Sequence, residues 1–570
     1  MICPWQKRYW DSEDRKVCEP LNSDFYRRID DFVRRQLDGY VPQKSSEKII
    51  HDPIWGSVLY YGWEIQVIDS PLLQRLRNIS QLGTADLTYT AARHSRFEHS
   101  LGTAAVAGRM MSKLQQRYKG DPDIHIDDSD VYKVRMAAIL HDVGHCFYSH
   151  LSEGVYSSLP EFVRMREELL RRFPEGLNPK PHELFSYLII TSDAFTEFFF
   201  RNIDYPGKKD ISQIRKMLAE AANMVVGVAN RDSEGAVLSY MTAVMNGEFD
   251  ADKLDYTQRD SYTAGIAMTY GAERFLMKLI ILSRVRNGEK NLELAIDADS
   301  LTTVEELIFN RNILYVYMYR HQKVLAAEAC IRDIIYGMIN LGILSHPCDF
   351  LNYGDSFLSS LEDSRTGAFA NAPEVTLSYL AGNVRNRILP KRCYELTGEK
   401  LFHGEDESLC RSLAEKYAAL PPDEKTGDTF MRFAAELNAL RRESGPEGRI
   451  GRIVSVLGDL SYEKYTRVRE EFCGLLGQEY EKAGKKADFT PLDVHIVMPK
   501  TYSSKISFPL VSKDGRVRST NTIRYISDWS ESFGAEKWKG YFFCSNRIDR
   551  VLGEKAAKNL IFKECGVMPD

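Results

Sequence analysis

The amino-acid sequence predicts a mainly α-helical protein, with a helical core, a helical satellite region and a small α+β C-terminal lobe. Three observations carry this. Apolar residues recur at helical spacing through most of the first 390 positions, as in Val134, Ala137, Ala138 and His141 at i, i+3, i+4 and i+7. Between about Leu401 and Ala483 the chain is helical and charged, broken at Pro421-Pro422 and at Gly445-Pro446-Glu447-Gly448. Only the last eighty residues change character: Ile506, Phe508 and Leu510 alternate ahead of a hairpin signal at Asp514-Gly515.

Residues 1–45 are polar and aromatic, with one helix from Phe25 to Leu37, and read as an N-terminal arm or oligomer contact. The core occupies 46–400. Its first piece, Lys48 to Gly56, is extended and broken at Pro53 and Gly56. Asp69-Ser70-Pro71 opens a helix, with Asp69 or Ser70 as cap and Pro71 in the first turn. That helix carries Leu72, Leu73, Leu76 and Ile79 and ends near Gly83. His94 to Tyr118 is a helix whose small residues, Gly102 to Gly108, admit another helix closely. An acidic loop, Asp121 to Asp130, leads into the His141 helix with Asp128 or Ser129 as cap. A charged helix and a Pro/Gly loop fill 157–181, and Pro181 opens the next helix. Further helices span Ile211 to Val226, Val237 to Asn246 and Asp250 to Thr263. A long helix follows from Arg311, with Leu314, Met318, His321, Val324 and Leu325 on one face. Residues 401–489 form the satellite region. Residues 490–570 form the lobe, with a strand at Tyr541 to Cys544 and a helix from Glu554 to Phe562.

At 570 residues the chain exceeds one core, and two or three domains are expected. Its apolar fraction of 44% and charged fraction of 27% are those of an ordinary soluble protein. The net charge of −5 excludes a whole-chain basic field, which leaves a local groove as the only place for single-stranded nucleic acid. Ten scattered cysteines, without a C-x-x-C pair, read as reduced intracellular thiols. The N-terminus lacks a signal-peptide core, and no run approaches the ~18 apolar residues of a spanning helix. A cytoplasmic enzyme without membrane contact is expected.

The chemistry gathers in one stretch. Seven of twelve histidines lie between His94 and His182. Arg96 and His99 share a helical turn. His141-Asp142 is an adjacent imidazole–carboxylate pair on an apolar stripe, and His145 follows at i+4 of His141. Neutral imidazole and carboxylate together suit a mid-row divalent metal that keeps positions open for water. A lone histidine on such a stripe is more often bonded to a carbonyl, but this clustering favours a site. A further carboxylate is needed, and periodicity does not choose among Asp250, Asp252 and Asp255. His150 and Glu153 stand three apart, on one helical face.

The ordered set Arg96…His99, His141-Asp142 and Asp252-Lys253 resembles the HD superfamily of metal phosphohydrolases. Gln74 to Gly83, Arg96 to Gly102 and Asp252 to Asp260 narrow the resemblance to the deoxynucleoside triphosphate (dNTP) triphosphohydrolases, over roughly residues 46–390. It implies an HD-domain core that splits a dNTP into deoxynucleoside and tripolyphosphate. It implies His99, His141, Asp142 and Asp252 as ligands of a divalent ion (Fe, Mn or Mg). Arg96 and Lys253 would hold phosphate oxygens, His150 with Glu153 would deliver the proton, and His145 and His182 would be further active-site histidines. Gln81, Leu82, Tyr256, Asp260 and Tyr319 would meet the nucleoside. Arg320 stands where the family often has glutamine, which bears on sugar or base preference. Lys48, Asp69, Gln74 and Arg77 match a guanine-nucleotide activator site for GTP or dGTP. Asp69 can accept both hydrogen bonds of the guanine edge; the plainer reading makes it a helix cap. Such sites imply a homo-oligomer built on dimers, as dimer, tetramer or hexamer. The competing readings are another HD phosphohydrolase (a nucleotide phosphodiesterase or nuclease) and a catalytically silent nucleotide-sensing scaffold. The Gly-Tyr-Pro signature of the cyclic-dinucleotide branch is not in the sequence.

Overall fold

Short polar residues and tight turns start the helices that carry the histidines. The computed structural model describes residues 23–566 except 45, 269, 287, 364–371, 399–400, most of 402–445, 459, 502–507 and 521–523. Most of the arm before residue 23, much of the satellite region and Ile506 therefore lie outside the described residues. The chain divides into two units: Met1–Leu307 with Gly337–Phe369 and Ser507–Thr520, and Ile308–Tyr336 with Ala370–Ile506 and Asn521–Asp570.

In unit 1, α1 (Ser23–Leu37) buries Phe25, Ile29, Phe32 and Val33. Strands β1 (Lys48–Asp52) and β2 (Gly56–Tyr60) pair antiparallel, with Gly56 at φ +73° in the turn. Helices α2 (Gly62–Ile68) and α3 (Pro71–Gln74) follow. The helix expected from Pro71 to Gly83 is shorter, because the backbone tightens into a 3₁₀ turn at Arg75–Asn78. Ser70 is its N-cap residue, while Asp69 closes α2.

A capping box starts α4 (Arg96–Arg117): Ser95 Oγ accepts from the Phe97 amide and Glu98 accepts from the Ser95 amide at 2.8 Å. Helix α5 (Asp128–Leu140) is capped by Asp127, one residue before the expected Asp128, through the Asp130 amide at 3.0 Å. The two pack where Gly108 lies under the Arg135 side chain. Helix α6 (His150–Tyr156) follows a turn in which Tyr148 and Ser149 hold φ of +51° and +48°. Helices α7 (Pro160–Leu170), α8 (Pro181–Ile190), α9 (Asp193–Asn202), α10 (Ile211–Val225) and α11 (Ser239–Met245) complete the surround. Asp250 caps α12 (Ala251–Thr263) through the Lys253 amide at 2.7 Å. This helix lies against α4 at Gly102, where an added Cβ would overlap Asp255 and Arg259. After α13 (Ala272–Met277), β3 (Leu279–Arg286) and β4 (Glu289–Asp297) form a hairpin that helical periodicity did not anticipate.

The long helix expected from Arg311 is two helices. After α14 (Leu301–Leu314) the chain winds a π-helical turn at Tyr315–Tyr319 and restarts as α15 (Gln322–Asn340). Helices α16 (Phe357–Asp363) and α17 (Ala372–Arg385), β5 (Lys391–Thr397), α18 (Pro446–Leu457), α19 (Tyr462–Lys482) and β6 (Val494–Val497) follow. Strands β7 (Pro509–Val511) and β8 (Val517–Ser519) form the hairpin signalled at Asp514-Gly515, and β7 pairs parallel with β4, giving the order β3-β4-β7-β8 within unit 1. Helix α20 (Arg524–Glu536), β9 (Lys539–Cys544) and α21 (Arg550–Cys565) end the chain. In unit 2, β9 lies between β5 and β6, over a core that includes Leu396, Phe472, Phe542 and Leu560. The strands of the last eighty residues thus serve two sheets. The class is mainly α with small sheets, as expected. Among the described residues no helix is long and apolar enough to cross a membrane.

Candidate active site

Three elements of unit 1 bring the candidate ligands together. Helix α4 supplies His99, the end of α5 supplies His141 and Asp142, and the first turn of α12 supplies Asp252. His99 Nε2 stands 2.9 Å from Asp252 Oδ1 and 3.8 Å from Asp142 Oδ2. His141 Nε2 stands 3.3 Å from Asp142 Oδ1 and 4.0 Å from Asp252 Oδ1. The ligand atoms of His99, His141 and Asp252 all lie within 4.8 Å of one another.

The ring tautomers follow from the partners on the far side. His99 Nδ1 is 2.7 Å from Asp255 Oδ2, and His141 Nδ1 is 2.8 Å from the Ala138 carbonyl oxygen. Both partners only accept, so both Nδ1 atoms carry the proton and both Nε2 lone pairs face Asp142 and Asp252. Those Nε2 atoms are buried and make no hydrogen bond. His141 thus makes the carbonyl bond of an ordinary core histidine and still has an orphaned nitrogen. Burial opposes charge on His99, but Asp252 and Asp255 outweigh it and push the imidazole up to about 10, so a cation that takes the Nε2 lone pair displaces a proton facing Asp252. Burial likewise opposes charge on Asp142 and Asp252; the facing histidines, with Arg96 beside Asp142, hold both well below the usual carboxylate range. Two orphaned imidazole nitrogens and two ionised carboxylates form a donor set that fits a divalent cation of nitrogen and oxygen preference.

The three acidic candidates of α12 have separate places. Asp250 is the helix cap and pairs with Lys253. Asp252 faces the histidines. Asp255 orients His99 from behind and also accepts from Arg259 Nε and Nη2, each at 2.8 Å, and from Trp55 Nε1 at 2.5 Å.

A second group adjoins the first. Glu153 Oε2 accepts from His150 Nδ1 at 2.8 Å and from His182 Nδ1 at 2.9 Å. His145 stacks on His182 with ring centroids 3.9 Å apart, and its Nε2 lies 3.3 Å from Asp142 Oδ1. Burial and the Arg96 charge keep His145 well below the usual histidine range. The His150 side chain is 62% exposed, whereas those of His145, His182 and Glu153 are buried, so His150 presents its Nε2 to solvent. Arg96 joins the two groups, donating to Asp142 Oδ2 at 2.9 Å and to Ser149 Oγ at 3.0 Å, with Nη2 3.5 Å from His150 Nε2.

The other expected contacts are distributed unevenly. Gln81 lies beside Arg96, its carbonyl 3.5 Å from Nη2 and its buried Oε1 unbonded; Leu82 follows it. Tyr256 is half-buried on α12, one turn beyond Asp252. Asp260 is buried and bonded to His94 Nε2 at 2.8 Å, a partner that the sequence reading did not single out. The Lys253 ammonium donates to Asp250 and to the Gly247 carbonyl, not into open space. Tyr319 and Arg320 belong to unit 2; Tyr319 ends the π-helical turn, and Arg320 lines a cavity of about 330 Å³ with Arg392, Lys537 and Lys539. Lys48 Nζ is 3.6 Å from Asp69 Oδ2. Gln74 donates to the Ile68 carbonyl and accepts from Arg77 Nε at 2.7 Å, while the Arg77 guanidinium lies 3.7 Å over the Phe97 ring. Asp69 therefore faces a lysine and does not cap α3.

Two residues were missed. Asp355 accepts from the Ser80 amide at 2.7 Å and the Tyr148 amide at 2.6 Å, tying together the segments before Gln81 and His150. Lys180, just before His182, is exposed, with Nζ 3.5 Å from Glu183, and the charges of Glu183, Asp252 and Glu153 raise it above the usual lysine range. Its position next to Pro181-His182 was the available signal.

The family model for the HD domain matches residues 96–191. The deoxynucleoside triphosphate triphosphohydrolase SAMHD1 of Bos taurus is 28% identical over 279 residues, 48% of this chain and 45% of that protein. The chain thus spans about half the length of such relatives. The uncharacterized protein YwfO of Bacillus subtilis is 27% identical over 75% of this chain and 83% of its own. A phosphohydrolase crystal structure from Bacteroides thetaiotaomicron aligns with a TM-score of 0.53 and 19% identity, over 88% of this chain and all of that one, a likeness of fold.

Proposed function

We propose that this chain is an HD-domain hydrolase that splits dNTPs into deoxynucleoside and tripolyphosphate, with a divalent ion of Fe, Mn or Mg held by His99, His141, Asp142 and Asp252. The observation that carries this is the pair of buried, unbonded Nε2 atoms aimed at two ionised carboxylates, beside a carboxylate-held histidine that opens to solvent. When bound, the ion would polarise phosphoryl oxygens and acidify a water.

The chain's own residues supply the rest. Arg96 places a fixed positive charge between Asp142 and His150, where negative charge grows on the α-phosphoryl group. His150 Nε2 protonates the leaving 5′ oxygen. Glu153 holds the opposite ring nitrogen and stabilises the imidazolium. His182, on the same carboxylate oxygen, and His145, stacked on His182, fix that geometry. Lys253 reaches phosphate only by releasing Asp250 and Gly247, and Lys180, a second cation, only by releasing Glu183. Gln81, Leu82, Tyr256 and Asp260 meet the nucleoside, and Tyr319 and Arg320 are assigned to sugar and base selection. Lys48, Asp69, Gln74 and Arg77 take a guanine nucleotide as activator, in a homo-oligomer.

Product analysis on the purified full chain with added Mn²⁺ tests this. Tripolyphosphate and deoxynucleoside are expected in equal amounts from a dNTP. Monophosphate plus pyrophosphate, shortened nucleic acid, or no turnover would each refute it.

A further inference from the structure

Unit 2 holds two cysteines in contact. Cys393 lies on β5 and Cys544 ends β9, its antiparallel neighbour. The ladder pairs Lys391 with Cys544 and Arg392 with Phe543, then slips so that Tyr394 meets Phe542. Cys393 is the extra residue of that bulge, which frees its side chain to lean along the strand toward Cys544. The two Sγ atoms are 3.0 Å apart. Cys544 donates to Cys393, which donates to the Phe542 carbonyl at 3.4 Å. Both are buried, at 8% and 2% exposure.

The cover over the pair is specific. Helix α21 lays Gly553 on it: a Cβ added there would stand 3.0 Å from Cys393 Cβ, 3.3 Å from Cys393 Sγ and 3.5 Å from Cys544 Sγ. Glycine lets the helix sit directly on the sulfurs. The hydrogen bond to Cys393, with burial, raises the Cys544 thiol far above the usual range, so the pair resists alkylation while α21 is docked.

We propose that Cys393 and Cys544 are a site of oxidative modification, converted by a peroxide into a disulfide that fastens the final strand and helix to β5. When α21 lifts off the pair, Cys393 gives up its proton; its thiolate attacks the peroxide O–O bond, giving a sulfenic acid and, with that proton, the first water. The second sulfur attacks that sulfenic sulfur; the S–O bond breaks, the S–S bond forms and the second water leaves. Two thiols lose two electrons and two protons, and one peroxide becomes two waters. A disulfide needs about 2.05 Å between sulfurs, so closure asks for roughly 1 Å of movement, mostly side-chain rotation on the bulged strand. The closed loop spans 151 residues, long enough for the bond to restrain the unfolded chain strongly. Cys473, half-buried on α19 against the same core, is the competing thiol.

The test uses the full chain, reduced, freed of reductant and exposed to graded hydrogen peroxide. It is then alkylated under denaturing conditions and digested without reductant for mass spectrometry. A linked Cys393–Cys544 peptide that dithiothreitol releases is expected. The oxidised protein should melt roughly 5–10 °C higher than the reduced one. Cys393→Ser and Cys544→Ser should each lose that shift; the wild-type peptide map decides the matter even if a variant folds poorly. The proposal fails if both thiols remain alkylatable after a dose that oxidises Cys473. It fails equally if Cys544 links to Cys473, or if the linked protein melts no higher than the dithiol.

Discussion

Asp255 touches no ligand position, yet metal affinity should depend on it. Asp255→Asn keeps the size of the side chain but turns one acceptor oxygen into a donor amide. Asp255 now serves His99 Nδ1 at 2.7 Å, Arg259 through two bonds at 2.8 Å, and Trp55 Nε1. An asparagine oxygen can take the Oδ2 place, which serves His99 Nδ1 and Arg259 Nε, or the Oδ1 place, which serves Trp55 Nε1 and Arg259 Nη2, but not both. Arg259 keeps one bond in either orientation; the indole N–H of Trp55 can only donate, whereas the imidazole can exchange tautomers, so the oxygen faces Trp55 and the amide NH₂ meets His99. The ring then moves its proton to Nε2 and loses the lone pair facing Asp252. Loss of such an orienting partner typically costs 10–100-fold in metal affinity, about 1.4–2.7 kcal/mol. Gly102 leaves no room to relax, because the α4 backbone lies against the same two side chains. The assay is metal content after equilibration against a Mn²⁺ buffer series, with a melting curve on each sample. Asp52→Asn is the control: it weakens Arg259's other partner, at 2.7 Å, and leaves His99 alone. Wild-type affinity in Asp255→Asn, or equal losses in both variants, would refute the tautomer argument.

Other outcomes follow from the same geometry. Asp252→Ala should abolish both metal retention and turnover; full retention would move the ligand to another carboxylate. His150→Ala should lower kcat by roughly two to four decades with metal content unchanged, and a near-normal kcat would send proton delivery to His145 or His182. Burial pushes the Asp355 carboxyl up to about 6 from 3.8. A pKa raised in the folded state means its contribution is fully present below pH ~4 and lost as pH rises through 6, about 3 kcal/mol in all. The stability difference between wild type and Asp355→Asn, from denaturant melts at pH 4 to 7, should shrink by about that amount across this window; a flat difference would contradict it. A guanine-specific rise in dATP hydrolysis should vanish in Asp69→Ala while the metal stays bound, and no response to GTP or dGTP in the wild type would remove the activator from the reading.

The helices that bring the histidines together were legible because their signals are local: Ser95 and Glu98 at the start of α4, small residues from Gly102 to Gly108, and the His141 stripe. The choice among Asp250, Asp252 and Asp255 was not, since a cap, a ligand-facing residue and a supporting residue differ only in what lies across from them. Asp355 left no trace, because its partners, Ser80 and Tyr148, are backbone amides more than 200 positions away. The β3–β4 hairpin was missed although Asn287-Gly288 separates two runs rich in strand-forming residues, and Gly288 indeed holds φ +83°. The break near Tyr319 was missed because the apolar spacing runs straight through it. Asp260 carried no hint of His94, since nothing local links residues 166 apart.

The parallel pairing of β4 with β7 sets an order of events during synthesis. Ile296 and Asp297 emerge roughly 200 residues before Leu510 and Val511, their partners in the ladder. At ~5–20 residues per second the ribosome needs about 10–40 s to cover that distance. Through that interval Val237 pairs with the start of the β4 edge, at Lys290 and Leu292, while the Ile296–Asp297 end stays open beside an otherwise assembled unit, able to accept a strand from another nascent chain. Chains stalled or truncated before residue 509 would carry the whole histidine cluster and still expose that edge. Such fragments should precipitate, or cross-pair on polysomes, rather than accumulate as a folded unit 1.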